Sequence, residues 1–188
     1  GTLEFTGKDV IFNGTKLSVG SFGGHTSRII VGVKTTLSFQ YVSVLETGLI
    51  TGKGIHDDFI DYRSQNQQAN CDDCGKPTTH YGGSFGGPGG YHVKSNTIVP
   101  DKTYGNSNYE APFYPGSRGY SSSEGNKIYT GYGGAALHLI ASSRLLVNGT
   151  IDVSGTMQYD KLDTNRNPYD GSYYSGGAGG SLYVQSGE

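Results

Sequence analysis

Charge is scarce in this 188-residue chain: Asp, Glu, Lys and Arg together make up 16% of it, and the formal net charge is −2. That balance excludes nucleic acid or an anionic membrane as an electrostatically recruited partner. Long apolar runs are missing too. ALHLIA (136–141) is among the longest, far short of the roughly 20 residues a membrane-spanning helix needs. Tryptophan is absent and methionine occurs once. No initiator Met or signal peptide is visible, and the chain opens at GTLEF and stops at QSGE within patterned sequence. We read it as a processed product or a segment of something longer, whose targeting the sequence does not carry.

What is abundant is glycine, at 32 residues, and tyrosine, at 15. Ordinary glycine usage is about 7%, so this chain has more than twice the norm. Disordered chains are rich in charge and poor in aromatics. With 12% aromatics and long Val/Ile/Leu stretches, this chain folds, and its glycines read as tight turns and close packing.

Four stretches carry the apolar signal: 3–19, 28–50, 135–153 and 181–185. Inside them the alternation has period two, as in Thr36-Leu37-Ser38-Phe39 and Thr150-Ile151-Asp152-Val153, with β-branched and aromatic residues broken by glycine. That is a strand pattern, and no helical stripe of comparable quality exists. VSVLETGLITGKG (42–54) lies over SRLLVNGTIDVSG (143–155) without gaps, matching Val44-Leu45 to Leu145-Leu146, Gly48 to Gly149, Ile50 to Ile151 and Gly54 to Gly155. FNGTKLSVGS (12–21) matches 147–155 if one residue is inserted at Lys16. A repeated strand–turn–strand unit is what β-solenoids show. The expected fold is therefore all-β, a single parallel β-solenoid or β-helix domain over 1–188. Its first coils lie in 1–54, a packed Gly/Tyr-rich insertion in 55–134 and further coils in 135–188. An antiparallel β-sandwich is the alternative.

HYGGSFGGPGGYH (80–92) lacks the G-x-G-x-x-G spacing of a dinucleotide loop and the GK[ST] ending of a phosphate loop. Pro88, with no N–H, is a poor element where amides must point at phosphate. The block reads as chain packed so closely that a Cβ would clash. Cys71 and Cys74 form one CxxC with no second CxxC or HxxxH, so a four-ligand zinc site is not indicated. The thioredoxin-like context of a redox pair is also missing. A local disulfide pinning a loop is the reading, and it fits an extracytoplasmic setting.

Asp57, Asp58 and Asp61, and again Asp160, Asp163 and Asp170, are oxygen-rich clusters of a kind that suits Ca²⁺. Neither has the EF-hand spacing, and solvated loop charge is the plain alternative. No other cofactor is indicated. Asn13-Gly-Thr and Asn148-Gly-Thr are N-glycosylation acceptors, both expected at the turn of the repeat, where Asn-Gly is favoured anyway. His138 alternates with Leu137 and Leu139 and should face away from the core. No catalytic order of Ser, His, Asp or Cys can be argued.

Four glycine-rich blocks stand in a fixed order: GGSFGGPGG (82–90), TYGNSNYEAPFYPGSRG (103–119), GYGGAALHLIASSRLLVNGTIDVSG (131–155) and GGAGGSLYV (176–184). This order resembles that of large glycine-rich, secreted or cell-surface β-solenoid proteins of bacteria and unicellular eukaryotes, whose blocks run GGSHGGxGG, YGS…P…GSGG, GGGAIxLxxxxxLxVxGxIxxxG and GGxGGSIxI. Phe85 departs from that pattern, standing where it often has His. The resemblance implies a structural extracellular protein without catalytic residues: a segment of a surface fibre, filament or adhesin, with its own kind or other surface proteins as partners. Two further classes are weighed. One is a carbohydrate-active β-helix enzyme, with Asp and Tyr surfaces around 104–132 and 159–174. The other is a non-catalytic glycan-binding module in which Tyr104, Tyr109, Tyr114 and Tyr120 stack on sugar.

Overall fold

The computed structural model describes residues 1–5, 7, 9–21, 23–54, 114–116, 132–156 and 177–187. These contain eight strands and no helix: β1 (Thr2–Glu4), β2 (Asp9–Val19), β3 (Arg28–Ile30), β4 (Lys34–Val44), β5 (Leu49–Thr51), β6 (Ala136–Val147), β7 (Thr150–Asp152) and β8 (Ser181–Ser186). Odd strands form one sheet in the order β1-β3-β5-β7, and even strands a second in the order β2-β4-β6-β8. Every pairing in both is parallel. The antiparallel alternative therefore does not hold for the described strands. A parallel pair needs a long crossover between its members, and here each crossover includes a strand of the opposite sheet.

One short strand and the long strand after it make a rung, and equivalent residues of the four rungs stack in rows. In the short sheet the row Leu3–Ile29–Ile50–Ile151 points inward. In the long sheet the inward rows are Val10–Thr35–Leu137–Leu182 and Phe12–Leu37–Leu139–Val184, and then Leu17–Val42–Leu145. Ile29, Ile50, Leu37, Val42, Leu137 and Leu139 belong to one core cluster shared by the two sheets. Burying a side chain of this size contributes about 1.5–3 kcal/mol. The buried Thr35 hydroxyl donates to the Gly32 carbonyl at 3.4 Å, which keeps that polar group paired.

The period-two pattern breaks at one place in every long strand from β2 to β6. Inward residues run 35, 37, 39 and then 42, 44 along β4, with Gln40 and Tyr41 both exposed. β2 makes the same slip between Gly14 and Leu17, and β6 carries an extra residue there, so that Phe39 pairs with Ala141 but Tyr41 with Arg144. Such a bulge bends a strand and re-aims the residues beyond it. It also corrects the ungapped repeat. Gly48/Gly149 and Ile50/Ile151 are equivalent, but Val44 stacks on Val147, not Leu145, because the corner 45–48 shortens to 148–149 in the next rung. The third copy is displaced as well: Phe12 is in the row of Leu37 and Leu139, not of Val147.

The corners leading from short to long strand differ in length. In the second rung Gly32 alone separates Val31 from Val33. By register, Gly52 and Val153 are the successors of Val31, and Ala135 and Gly180 those of Val33. Residues 53–134 and 154–179 thus each occupy the place of one glycine. The closing bonds are kept across both: Ala135 N–H donates to Gly52 O (2.9 Å) and Gly180 N–H to Val153 O (2.8 Å). Backbones approach so closely here that a Cβ on Gly180 would collide with the Ala135 carbonyl, and one on Gly134 with that of Val153. At Gly179, next in chain, a Cβ would meet nothing nearer than Val153 O at 3.9 Å. Gly180→Ala should therefore lower stability by about 1–3 kcal/mol, and Gly179→Ala by no more than about 0.5 kcal/mol, compared by urea denaturation of the two variants.

Candidate functional site

The feature that stands out is the exposure of the core rows at both ends of the stack. Along one row Phe12 is 43% exposed, Leu37 and Leu139 are fully buried, and Val184 is 43% exposed. Leu3, at the head of the short-sheet row, is 47% exposed, while Ile50 in its middle is fully buried. The residues are of one chemical kind throughout. In these two rows the most exposed residues are ones with a rung on one side alone.

At the first end, Phe12 is tilted against Phe5 (5.5 Å between centroids) and Phe39 (5.7 Å), within the range of favourable aromatic pairs. Ile11 stands on the outer face of the same edge, highly exposed. Leu17 and Val19, further along β2, are already buried, so the apolar opening is confined to the first half of the strand. At the other end β8, SLYVQS, has Leu182 and Val184 uncovered and carries no charge or proline. Charge and proline are the usual devices that stop a sheet edge from recruiting another strand. β1 and β2 at one end, and β7 and β8 at the other, have no further strand partner among the described residues.

Charges near the last rung are few. Asp152 accepts from the Ser154 N–H through Oδ1 at 2.9 Å and lies 3.9 Å from Lys53 Nζ. The Ser154 hydrogen bonds, assisted by Lys53, hold its carboxyl below its ordinary value of 3.8. Asp152 is paired with Thr51, two residues before Lys53, so this ion pair runs diagonally between consecutive rungs beside the starts of the two long crossovers.

Of the residues singled out from the sequence, Asn13 and Asn148 are both exposed. Asn148 is in the corner between β6 and β7, as expected, with its own N–H and that of Gly149 both donating to Val44 O. Asn13 is not at a turn. It sits within β2, paired with Ser38. The following glycine is required because Phe39 lies over it, where a Cβ would come 2.7 Å from Cε1. Tyr114 is half-buried: its N–H donates to Ser181 Oγ (3.1 Å), its carbonyl accepts from the same hydroxyl (2.9 Å), and Lys34 Nζ lies 5.3 Å from its ring centroid. It anchors the long crossover to the even-strand sheet. His138 is half-buried, its ring 4.8 Å from that of Tyr183.

Cys71, Cys74, Asp57, Asp58, Asp61, Tyr104, Tyr109 and Tyr120 lie outside the described residues, as do Asp160, Asp163, Asp170 and the GGSFGGPGG block. Among the described residues no group of three or more His, Cys, Asp or Glu side chains could hold a metal ion, and no helix is long and apolar enough to cross a membrane. Sequence reasoning missed the end residues Leu3, Phe12, Leu182 and Val184. Only the order of the rungs distinguishes them from their buried row-mates.

Leu139→Ala should cost about 2–5 kcal/mol and Val184→Ala under about 1 kcal/mol, read from chemical denaturation of the isolated chain. Because the folded-state pKa of Asp152 is depressed, its contribution is present above the ordinary carboxylate value and is lost as pH falls through the folded one. The stability gap between the native chain and Asp152→Asn should therefore hold at neutral pH and shrink as the pH falls below the ordinary carboxylate value of 3.8.

Comparison with protein families, curated proteins and solved structures finds no match for this chain.

Proposed function

We propose that the chain is a structural β-solenoid segment of an extracellular surface fibre or adhesin, and that it joins other protein through its open strand edges. The observation carrying this reading is the pair of uncovered core rows at opposite ends of a parallel strand stack, Leu3 and Phe12 at one and Leu182 and Val184 at the other. An edge that exposes backbone donors and acceptors beside a stripe of apolar side chains accepts an added strand, the main chain supplying affinity and the side chains register. Fibre formation is the natural outcome when two such edges face opposite ways. The glycine-rich crossovers and the scarcity of charge agree with a building block rather than an enzyme.

The extracellular setting is supported by the exposed sequons at Asn13 and Asn148 and by the CxxC at Cys71 and Cys74, read as a disulfide. Secretion of the chain from eukaryotic cells should give a product whose mass falls by up to two glycans on enzymatic deglycosylation. A product carrying none would remove this support. Electron microscopy of the purified chain at rising concentration tests the structural role itself. Elongated assemblies are expected, and a folded chain that stays monodisperse and monomeric at high concentration would overturn it.

A further inference from the structure

We infer that the partner at each open edge is a second copy of the same chain, joined head to tail, with β2 of one copy laid on β8 of the next in the register already used inside the molecule. The inference rests on the edge-assembly reading above and gives it a partner and a geometry. Within one chain the same step, from a long strand to the parallel long strand of the next rung, is taken three times: β2 to β4, β4 to β6 and β6 to β8. The short strands take it three times as well. Because all pairings are parallel, the last rung presents the same polarity of edge that the first rung's partner would have to supply. A fourth application of the step places the first rung of a second copy on the fourth rung of the first.

That step sets the contacts. β2 residues Asp9 to Gly14 fall on β8 residues Ser181 to Ser186, putting Val10 on Leu182 and Phe12 on Val184 inside, and Ile11 on Tyr183 and Asn13 on Gln185 outside. β1 falls on β7, with Leu3 on Ile151. Phe12 meets Val184, each 43% exposed, while Leu182 and Leu3 meet the half-buried Val10 and Ile151, so these rows continue as apolar rows; Val147, exposed on β6 beyond the end of β8, has no counterpart in this join. The two openings also match in extent. β8 is six residues long and covers the half-rung opposite Asp9–Gly14, which is the half of β2 left open. Leu17 and Val19, beyond the reach of β8, are buried before any strand is added. One contact opposes the join: Glu4 falls on Asp152, and like charges directly across a ladder are destabilising. Lys53, 3.9 Å from Asp152, is the nearby cation.

The test mixes two variants of the full chain, Asn13→Cys and Gln185→Cys, both at exposed outward positions. Adjacent strands are about 4.8 Å apart, within the span a disulfide bridges. After mild oxidation, mass spectrometry should find a peptide linking position 13 of one copy to position 185 of another in the mixture, a mass distinct from any involving Cys71 or Cys74. Val184→Lys, at a side chain already 43% exposed, should keep the fold by circular dichroism and weaken association at least tenfold by sedimentation. Glu4→Lys should strengthen association severalfold. Association without the 13–185 peptide and unaffected by Val184→Lys overturns the head-to-tail join while leaving edge assembly standing. A folded monomer at all concentrations overturns both. A monomer whose β8 amides already resist hydrogen exchange assigns that edge to the chain itself and overturns the second-copy partner.

Discussion

The whole stack depends on one constraint, the in-register parallel ladder. Each rung sits about 4.8 Å from the next, and at that spacing a side chain has no freedom to be unlike its neighbours above and below. An inward position must be apolar in nearly every rung, because a polar group there is buried on both sides and needs a partner close by, as Thr35 has in the Gly32 carbonyl. Ile29 and Ile50 in one sheet, and Leu37 and Leu139 in the other, meet that demand. Where the backbone turns between sheets, stacked corners come within carbonyl contact and the position narrows to glycine. The composition follows from the geometry: apolar rows inside, small residues at the corners, and little charge, since a charged row repeats its sign at short range.

How far this was legible in the sequence varies by element. Strand identity was plain in residues such as Leu37 and Phe39, because period two leaves its mark on a single strand. The kink after Phe39 was not, since the three-residue step to Val42 resembles an irregular patch until the neighbouring strands are seen to share it. Asn148-Gly149 was read correctly as a corner. The same dipeptide at 13–14 misled, because there the glycine answers to the ring of Phe39 and not to a turn. The ungapped match of 42–54 with 143–155 held through the short strands and slipped by two residues in the long ones, where corner length had changed.

The open ends were the least legible feature. Leu3, Phe12, Leu182 and Val184 belong to the same alternation as their buried row-mates, and nothing in their own sequence sets them apart. Interior and terminal rungs are written in one alphabet. The chemistry of a strand in such a stack therefore does not report whether another rung lies beside it.

The two long crossovers have a consequence for how the chain comes to be folded. Residues 53–134 stand where the second rung has one glycine, so the ladder from β4 to β6 joins strands that are neighbours in space but widely separated in time of synthesis. At roughly 5–20 residues per second, between about four and sixteen seconds pass after β5 is made before β6 exists. For that interval β4 lacks the strand that pairs with its second edge, and the rows of Leu37 and Phe39 lack their next members. Other copies emerging from the same message offer the same strands in the same state. The crossover that enlarges the molecule thus also opens a window in which rungs from different chains compete for one edge.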